Sequence, residues 1–393
     1  MAPAGNFESL QAALDNGADS VYFGVEQLNM RARASINFTL EDLPEITKRC
    51  NAKNVRSYLT LNTIIYDHDL SLVKTLLTKA KEAGITAVIA SDQAVIASAR
   101  EMGIDVHIST QLNVTNIETV KFYSLFAETM VLSRELSLSQ VKKITAAIQK
   151  EQIKGPSGNL IEIEIFGHGA LCMAVSGKCY LSLHSYNSSA NRGACKQNCR
   201  KKYTVIDQET GFEIELDNEY MMSPKDLCTI DFLDEVMDAG VRVLKIEGRG
   251  RAPEYVATVI KTYREAIDSW YLGTYTKDQV ERWMEELDKV YNRGFWGGYY
   301  LDKNWESGVK HPVPVLPKKK SIWVRWFIIF QKPELENSRL KLLILIRETR
   351  SLLPDLLQER GKLWLIQCSL MTLMALRHPK VRPVRLNYPL GFG

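Results

Sequence analysis

The feature that most constrains this chain is a repeated alternation. Short apolar runs at Ser20–Phe23, Ser57–Leu61, Ala87–Ala90, Val106–Ile108, Thr129–Leu132, Ile161–Phe166 and Val241–Ile246 read as strands. Between most of them lie segments with apolar residues three and four apart, which read as helices at Leu40–Lys53, Leu70–Ala83, Gln93–Met102, Ile117–Phe126 and Leu138–Lys150. Repeated strand-then-helix units predict an α/β fold, a parallel sheet covered by helices. Two closures fit: a (β/α)8 barrel or an open doubly wound sheet. The absence of a G-x-G-x-x-G turn after the early strands weakens the second.

Composition sets the limits. A chain of 393 residues is long enough for a large core and more than one domain. Every long apolar run is interrupted by Arg, Lys or Glu, so none is expected to span a bilayer. Met1 is followed by no basic segment and no apolar one, which gives no reason to expect export and makes the cytoplasm the default. A formal net charge of +4 permits an RNA partner without arguing for one.

Chemistry concentrates between Glu164 and Tyr203. Four of the seven cysteines, Cys172, Cys179, Cys195 and Cys199, fall in this stretch among turn-forming glycines; Cys228 follows, and Cys50 and Cys368 are isolated. Clustered thiols in a reducing compartment point to zinc or an iron–sulfur cluster rather than to disulfides. The spacing C-x6-C-x15-C-x3-C is neither a zinc ribbon nor a small ferredoxin, so spacing alone says metal and not which.

Glu164, Phe166, Gly169, Ala170, Leu171, Cys172, Gly177, Cys179, Leu181 and Ser182 together resemble the signature of the peptidase U32 family. So do NRGAC at Asn191–Cys195, KIEGR at Lys245–Arg249, the N-terminal APAGNFES and the SPKDLC around Cys228, and the likeness runs from Ala2 to about Val315. In that family a short strand precedes the Ala2–Gly5 turn. Met1 stands where it should end, so the first strand is expected to be missing. Counting it makes eight, which favours a TIM-like (β/α)8 barrel over residues 1–275, with a Cys-rich insertion at 167–222 after the seventh strand. The resemblance also implies a [4Fe–4S] cluster, held by Cys172, Cys179, Cys195 and Cys228 with Cys199 in reserve. Cys195 and Cys199 share a face if their segment is helical. The branch most like this chain is that of the prephenate-dependent tRNA uridine hydroxylases. The implied reaction is therefore hydroxylation of a wobble uridine in tRNA with prephenate as the oxygen source. A collagenase-like peptidase is the alternative, and a non-catalytic cluster-bearing or RNA-binding scaffold the second. H-E-x-x-H and G-x-S-x-G are both absent, and Cys172 with His168 only loosely imitates a thiol protease.

Barrel chemistry belongs where strands end. Those positions supply Asn29, Arg31, Arg33, Thr60, Asn62, His107, Ser109, Gln111, Arg134, His168, Lys245, Glu247 and Arg249. Arg31, Arg33, Arg134 and Arg249 suit the carboxylates of prephenate, with His168 and Glu247 as further substrate-binding candidates. His107, inside an apolar strand, reads more readily as a core histidine. Arg192, Lys196, Arg200, Lys201 and Lys202 interleave with the cysteines and are RNA-contact candidates; a solvated loop is the competing reading.

Residues 203–220 read as a hairpin, Ser223–Met237 as a helix carrying Cys228 on its second turn, and Pro253–Tyr271 and Thr276–Tyr291 as two more helices. Residues 276–317 are taken as a covering helix and an aromatic glycine-rich loop, RGFWGGYY at 293–300, which is expected to pack against the barrel. From 318 to 393 the chain is basic, has no acidic residue after Glu359 and has poor strand periodicity. A reading-frame shift near residue 320 is expected, with an RNA-binding basic tail as the competing reading, and residues 321–393 are expected to form no packed domain.

Overall fold

A computed structural model describes residues 1–33, 37–201, 203–206, 208, 213–216 and 224–301. The readings placed on 318–393 and on Lys202 and Cys368 lie outside these residues.

Eight parallel strands close into a barrel. They are β1 (Ala2–Pro3), β2 (Ser20–Phe23), β3 (Arg56–Leu61), β4 (Ala87–Ala90), β5 (Asp105–Ile108), β6 (Thr129–Val131), β7 (Glu162–Ala170) and, out of chain order, a strand at Val243–Ile246 that pairs parallel with β7. β1 to β7 pair in sequence order, each parallel to the next. The seam is shut by Met1, whose carbonyl accepts from the Ile246 N–H at 3.1 Å and whose amine donates to the Leu244 carbonyl at 2.8 Å. The first strand is thus present as a two-residue stub, not missing as expected.

Helices α1 (Phe7–Asp15), α2 (Leu43–Ala52), α3 (Leu70–Glu82), α4 (Gln93–Glu101), α5 (Ile117–Ser124) and α6 (Leu138–Glu151) follow the first six strands. Their starts are encoded locally: the Asn6 and Asp92 side chains accept the Ser9 and Ala94 N–H groups, and Ser137 and Gln140 form a capping box. Each helix turns its apolar stripe onto the sheet. Val73, Leu76, Leu77 and Ala80 of α3, and Val141, Ile144 and Ile148 of α6, are buried in one continuous core.

β7 has two jobs. Its first half pairs with β6 and with the last barrel strand; its second half leaves the barrel and pairs antiparallel with β10. Before β10 come the short helix α7 (Leu181–Tyr186) and the antiparallel pair β8 (Tyr203–Ile206) and β9 (Glu213–Leu216), which is the expected hairpin. β10 (Asp226–Cys228) stands where a helix was expected. The N–H and C=O groups at the free end of β7 need partners, and Asp226 is drawn in by Arg251 and Arg293, each at 3.0 Å. Only α8 (Leu233–Asp238) of that helix forms; β11 (Val243–Ile246) is the closing strand named above. α9 (Pro253–Tyr271) has the expected limits, and α10 (Lys277–Asp288) lies within the expected span, behind its Thr276 cap. β12 (Phe295–Trp296) adds to β10, and Tyr300 is buried with its hydroxyl on the Phe166 carbonyl, so the aromatic loop packs as expected. Among the described residues no helix is long and apolar enough to cross a membrane.

Candidate functional site at the barrel mouth

The C-terminal ends of the strands bring Arg31, Arg134 and Arg249 around the Glu247 carboxylate. Glu247, just past β11, accepts from Arg31 Nη2 at 2.5 Å and from the Tyr22 hydroxyl at 3.3 Å. Burial by itself raises the Glu247 pKa, but Arg31, Arg249 and Arg134 overcome this and hold it below the ordinary carboxylate range. Three guanidinium groups therefore share one acid. Arg249 is the least compensated: its Nη1 donates to Asn29 Oδ1 at 3.1 Å and Thr60 Oγ1 at 2.9 Å, both neutral, and burial lowers its pKa to about 10. Gly24 makes room for this arrangement, because a Cβ there would lie 2.5 Å from Arg249 Nη1. Arg134 lies over the Phe166 ring and donates to Ser176 Oγ at 2.8 Å. Asn62, Ser109 and Gln111 form a hydrogen-bonded neutral set on the same rim. Arg33 differs from its neighbour: its side chain is exposed, and its backbone N–H donates to the Gly193 carbonyl.

Below the mouth the lumen is closed by side chains. Lys245 Nζ donates to Glu164 Oε1 at 2.8 Å, both buried, and lies over the Tyr22 ring. His107 is buried against Tyr58, and burial lowers its pKa to about 4, as a core histidine requires. The expectation of Lys245 at the rim is corrected accordingly.

His168 also leaves the site. The register shifts between Lys245 and Ile246 opposite β7, so that Phe166 pairs with Lys245 and His168 with Ile246. His168 packs against Tyr255, Tyr263 and Phe295, with Nδ1 3.3 Å from the Tyr263 hydroxyl, and burial lowers its pKa to about 3. It is a core residue and not a substrate contact.

The segment from Cys172 to Arg200 is laid over the mouth as a lid. Arg192 fastens it, with a bidentate pair to Asp69, a 2.7 Å bond to the Ile64 carbonyl and its guanidinium over Tyr66. Gly193, at φ +79°, lies against the Asn29 carbonyl and Ala32 where no side chain fits. Ser176 and Gly177 contact Arg134 and Gln111.

Four free thiols, Cys172, Cys179, Cys195 and Cys199, lie along this lid. Burial raises the Cys199 pKa, and Cys172, Cys195 and Cys179 raise it further as like charges do. Cys195 also raises the pKa of Arg31, after the larger effect of Glu247, which places that thiol beside the mouth. Cys195 and Cys199 do not share a helix: Gln197 is left-handed at φ 53° and a 3₁₀ turn follows at Asn198–Arg200. Cys228 stands apart. It is buried on β10, 3.7 Å from the Tyr263 hydroxyl and 3.8 Å from Met284 Sδ, and burial pushes its thiol up to about 12. Its position in the sheet, not on a helix, directs it into the core. Among the described residues no three His, Cys, Asp or Glu side chains stand at metal-ligating distance. The lid thus supplies the soft donors a cluster takes, in one neighbourhood but not drawn into a closed cage.

The RNA-contact candidates divide. Arg192 is committed to Asp69, and Arg200 is half-buried with burial lowering its pKa. Lys196 and Lys201 are exposed. Sequence reasoning did not find Tyr22, Asp69 or Ser176. Ser176, in the signature stretch itself, offered the nearest signal.

Residues 5–310 match the family described as Peptidase family U32. A protein of Porphyromonas gingivalis named collagenase is 58% identical over 301 residues, 77% of this chain and 73% of that one. A tRNA hydroxylation protein P of Helicobacter pylori is 33% identical over 317 residues, covering 78% and 72%. A 23S rRNA 5-hydroxycytidine synthase of Escherichia coli is 34% identical over 273 residues, 68% of this chain and 39% of that one.

Proposed function

Because the chain belongs to peptidase family U32, whose members here include both a collagenase by name and RNA-hydroxylating proteins, we propose that it is a cytoplasmic iron–sulfur-dependent enzyme. In this reading it hydroxylates a wobble uridine in tRNA with prephenate as co-substrate. What supports the reading is that four free thiols lie along the lid, which touches the arginine-bearing mouth through Ser176 and Gly193. Cys172, Cys179, Cys195 and Cys199 would hold a [4Fe–4S] cluster. Cys199 replaces Cys228, whose thiol lies in the core behind Tyr263 and Met284. Such a cluster supplies electron transfer or polarisation of a bound oxygen-bearing group.

The chain's own residues do the rest. Arg249, anchored by neutral partners, and Arg134 present guanidinium forks to the two carboxylates of prephenate. Glu247 holds Arg31 in place and partly neutralises the arginines.

The collagenase name of the 58% identical relative favours a peptidase as the second reading. Against it, His168 is buried on Tyr263 and is unavailable as a base for the exposed Cys172. Anaerobically purified protein is expected to be coloured and to contain iron. Cys172→Ala, Cys179→Ala, Cys195→Ala and Cys199→Ala should each lose iron, and Cys228→Ala should keep it. Loss with Cys228→Ala but not with Cys199→Ala would restore the other set. Nucleoside mass spectrometry of tRNA incubated with protein and prephenate should show a hydroxylated uridine. Digestion of collagen without that product would establish the peptidase instead.

A further inference from the structure

We propose that the outward face of the lid is a docking surface for an unpaired RNA segment, with Tyr180 and Tyr186 as base-stacking platforms and Lys178, Lys196 and Lys201 as phosphate contacts. The proposal rests on the RNA reading above and extends it to a surface.

Two observations converge. First, the lid exposes side chains that normally hide: Tyr180 is 66% exposed and Tyr186 51%, with Met173, Val175, Leu181 and Leu183 exposed beside them. An apolar surface of this kind marks a binding face. Second, the charge along this stretch of chain has one sign. Between Glu164 and Asp207 there are six Lys and Arg and no Asp or Glu. Of the six, Lys178, Lys196 and Lys201 are exposed, so this stretch offers a polyanion three exposed cations and no carboxylate of its own. The two features touch, because the Lys201 ammonium lies 4.4 Å from the centroid of the Tyr186 ring. Aromatic faces beside lysines are what stacked bases and their phosphates require. A duplex hides its base faces, so the tyrosines select a loop or single strand. Arg192 is excluded from this surface by its pair with Asp69.

The test is fluorescence anisotropy of the full chain with two probes, an RNA hairpin with a uridine-containing loop and a fully paired RNA duplex. Tyr180→Ala and Tyr186→Ala should each weaken hairpin binding about tenfold, leave the salt dependence unchanged and leave duplex binding unaffected; Tyr180→Phe should bind as the parent does. Lys178→Ala and Lys196→Ala should each make the slope of log K against log salt shallower by about 0.7. These side chains are exposed, so unchanged thermal unfolding is the folding control. If the double tyrosine variant binds the hairpin like the parent, the surface is wrong while the RNA reading stands. If the parent binds neither probe, both fall. If light scattering shows a parent dimer that the tyrosine changes dissociate, the face belongs to a second copy and the proposal is overturned.

Discussion

Arg249 is the residue on which the mouth turns. The partly buried Arg251 and Arg293 each meet a carboxylate, that of Asp226. Arg249 meets an amide and a hydroxyl instead, which leaves its charge to a ligand. Lysine keeps the charge but loses the fork. Arg249→Lys is therefore expected to raise the KM for prephenate at least tenfold, in line with about 1.5–3 kcal/mol for a charged hydrogen bond. An unchanged KM in the tRNA hydroxylation assay would move the carboxylate to Arg134. The positions of Arg31, Glu247 and Arg249 were legible because strand ends follow from the alternation. His168 and Cys228 were not, because a one-residue register shift and a strand built from a helix-like stretch each reverse what a side chain faces.

At the scale of the element, the lid is fastened at two places, one of them Ser176, which bonds Thr110, Asn113 and Arg134. The Arg192–Asp69 pair and the close seat of Gly193 fix one end over the loops after β2 and β3. Arg192 holds the Asp69 carboxyl below its ordinary range, so the pair persists at neutral pH. Asp69→Asn should cost about 1–3 kcal/mol locally and speed limited proteolysis between Cys172 and Arg200, with little change in the unfolding of the barrel. Equal cleavage rates in parent and variant would mean that other contacts hold the lid. Gly193→Ala should act in the same direction, since alanine meets both the positive φ and the Asn29 carbonyl. The glycines of this stretch were visible as turn formers, but which of them carries the close approach depends on what lies beneath.

For the whole molecule, two buried histidines predict the response to acid. The pKa of His107 falls to about 4 and that of His168 to about 3, against about 6.5 for an unfolded histidine. Folding favours their neutral forms, so their contribution is complete above about pH 6.5 and is lost progressively as pH falls toward about 4. The melting temperature should drop across that window, before most carboxylates titrate, and His168→Asn should flatten the drop while lowering stability at neutral pH. A melting temperature independent of pH between about 7 and about 5 would contradict this. The sequence by itself determined the parallel sheet covered by helices, since short apolar runs alternating with a spacing of three and four leave a chain few ways to bury both kinds of face; the count of eight that favours a barrel came with the family resemblance. It also determined the hairpin and the placing of the cysteines on the rim, because each follows from neighbours along the chain. Only the tertiary structure decided that β7 outlasts the barrel, that Cys228 faces the core, and that Lys245 and Glu164 plug the lumen. Those outcomes depend on contacts between residues scores of positions apart, and local pattern carries no information about which distant partner satisfies a buried charge or an open strand edge.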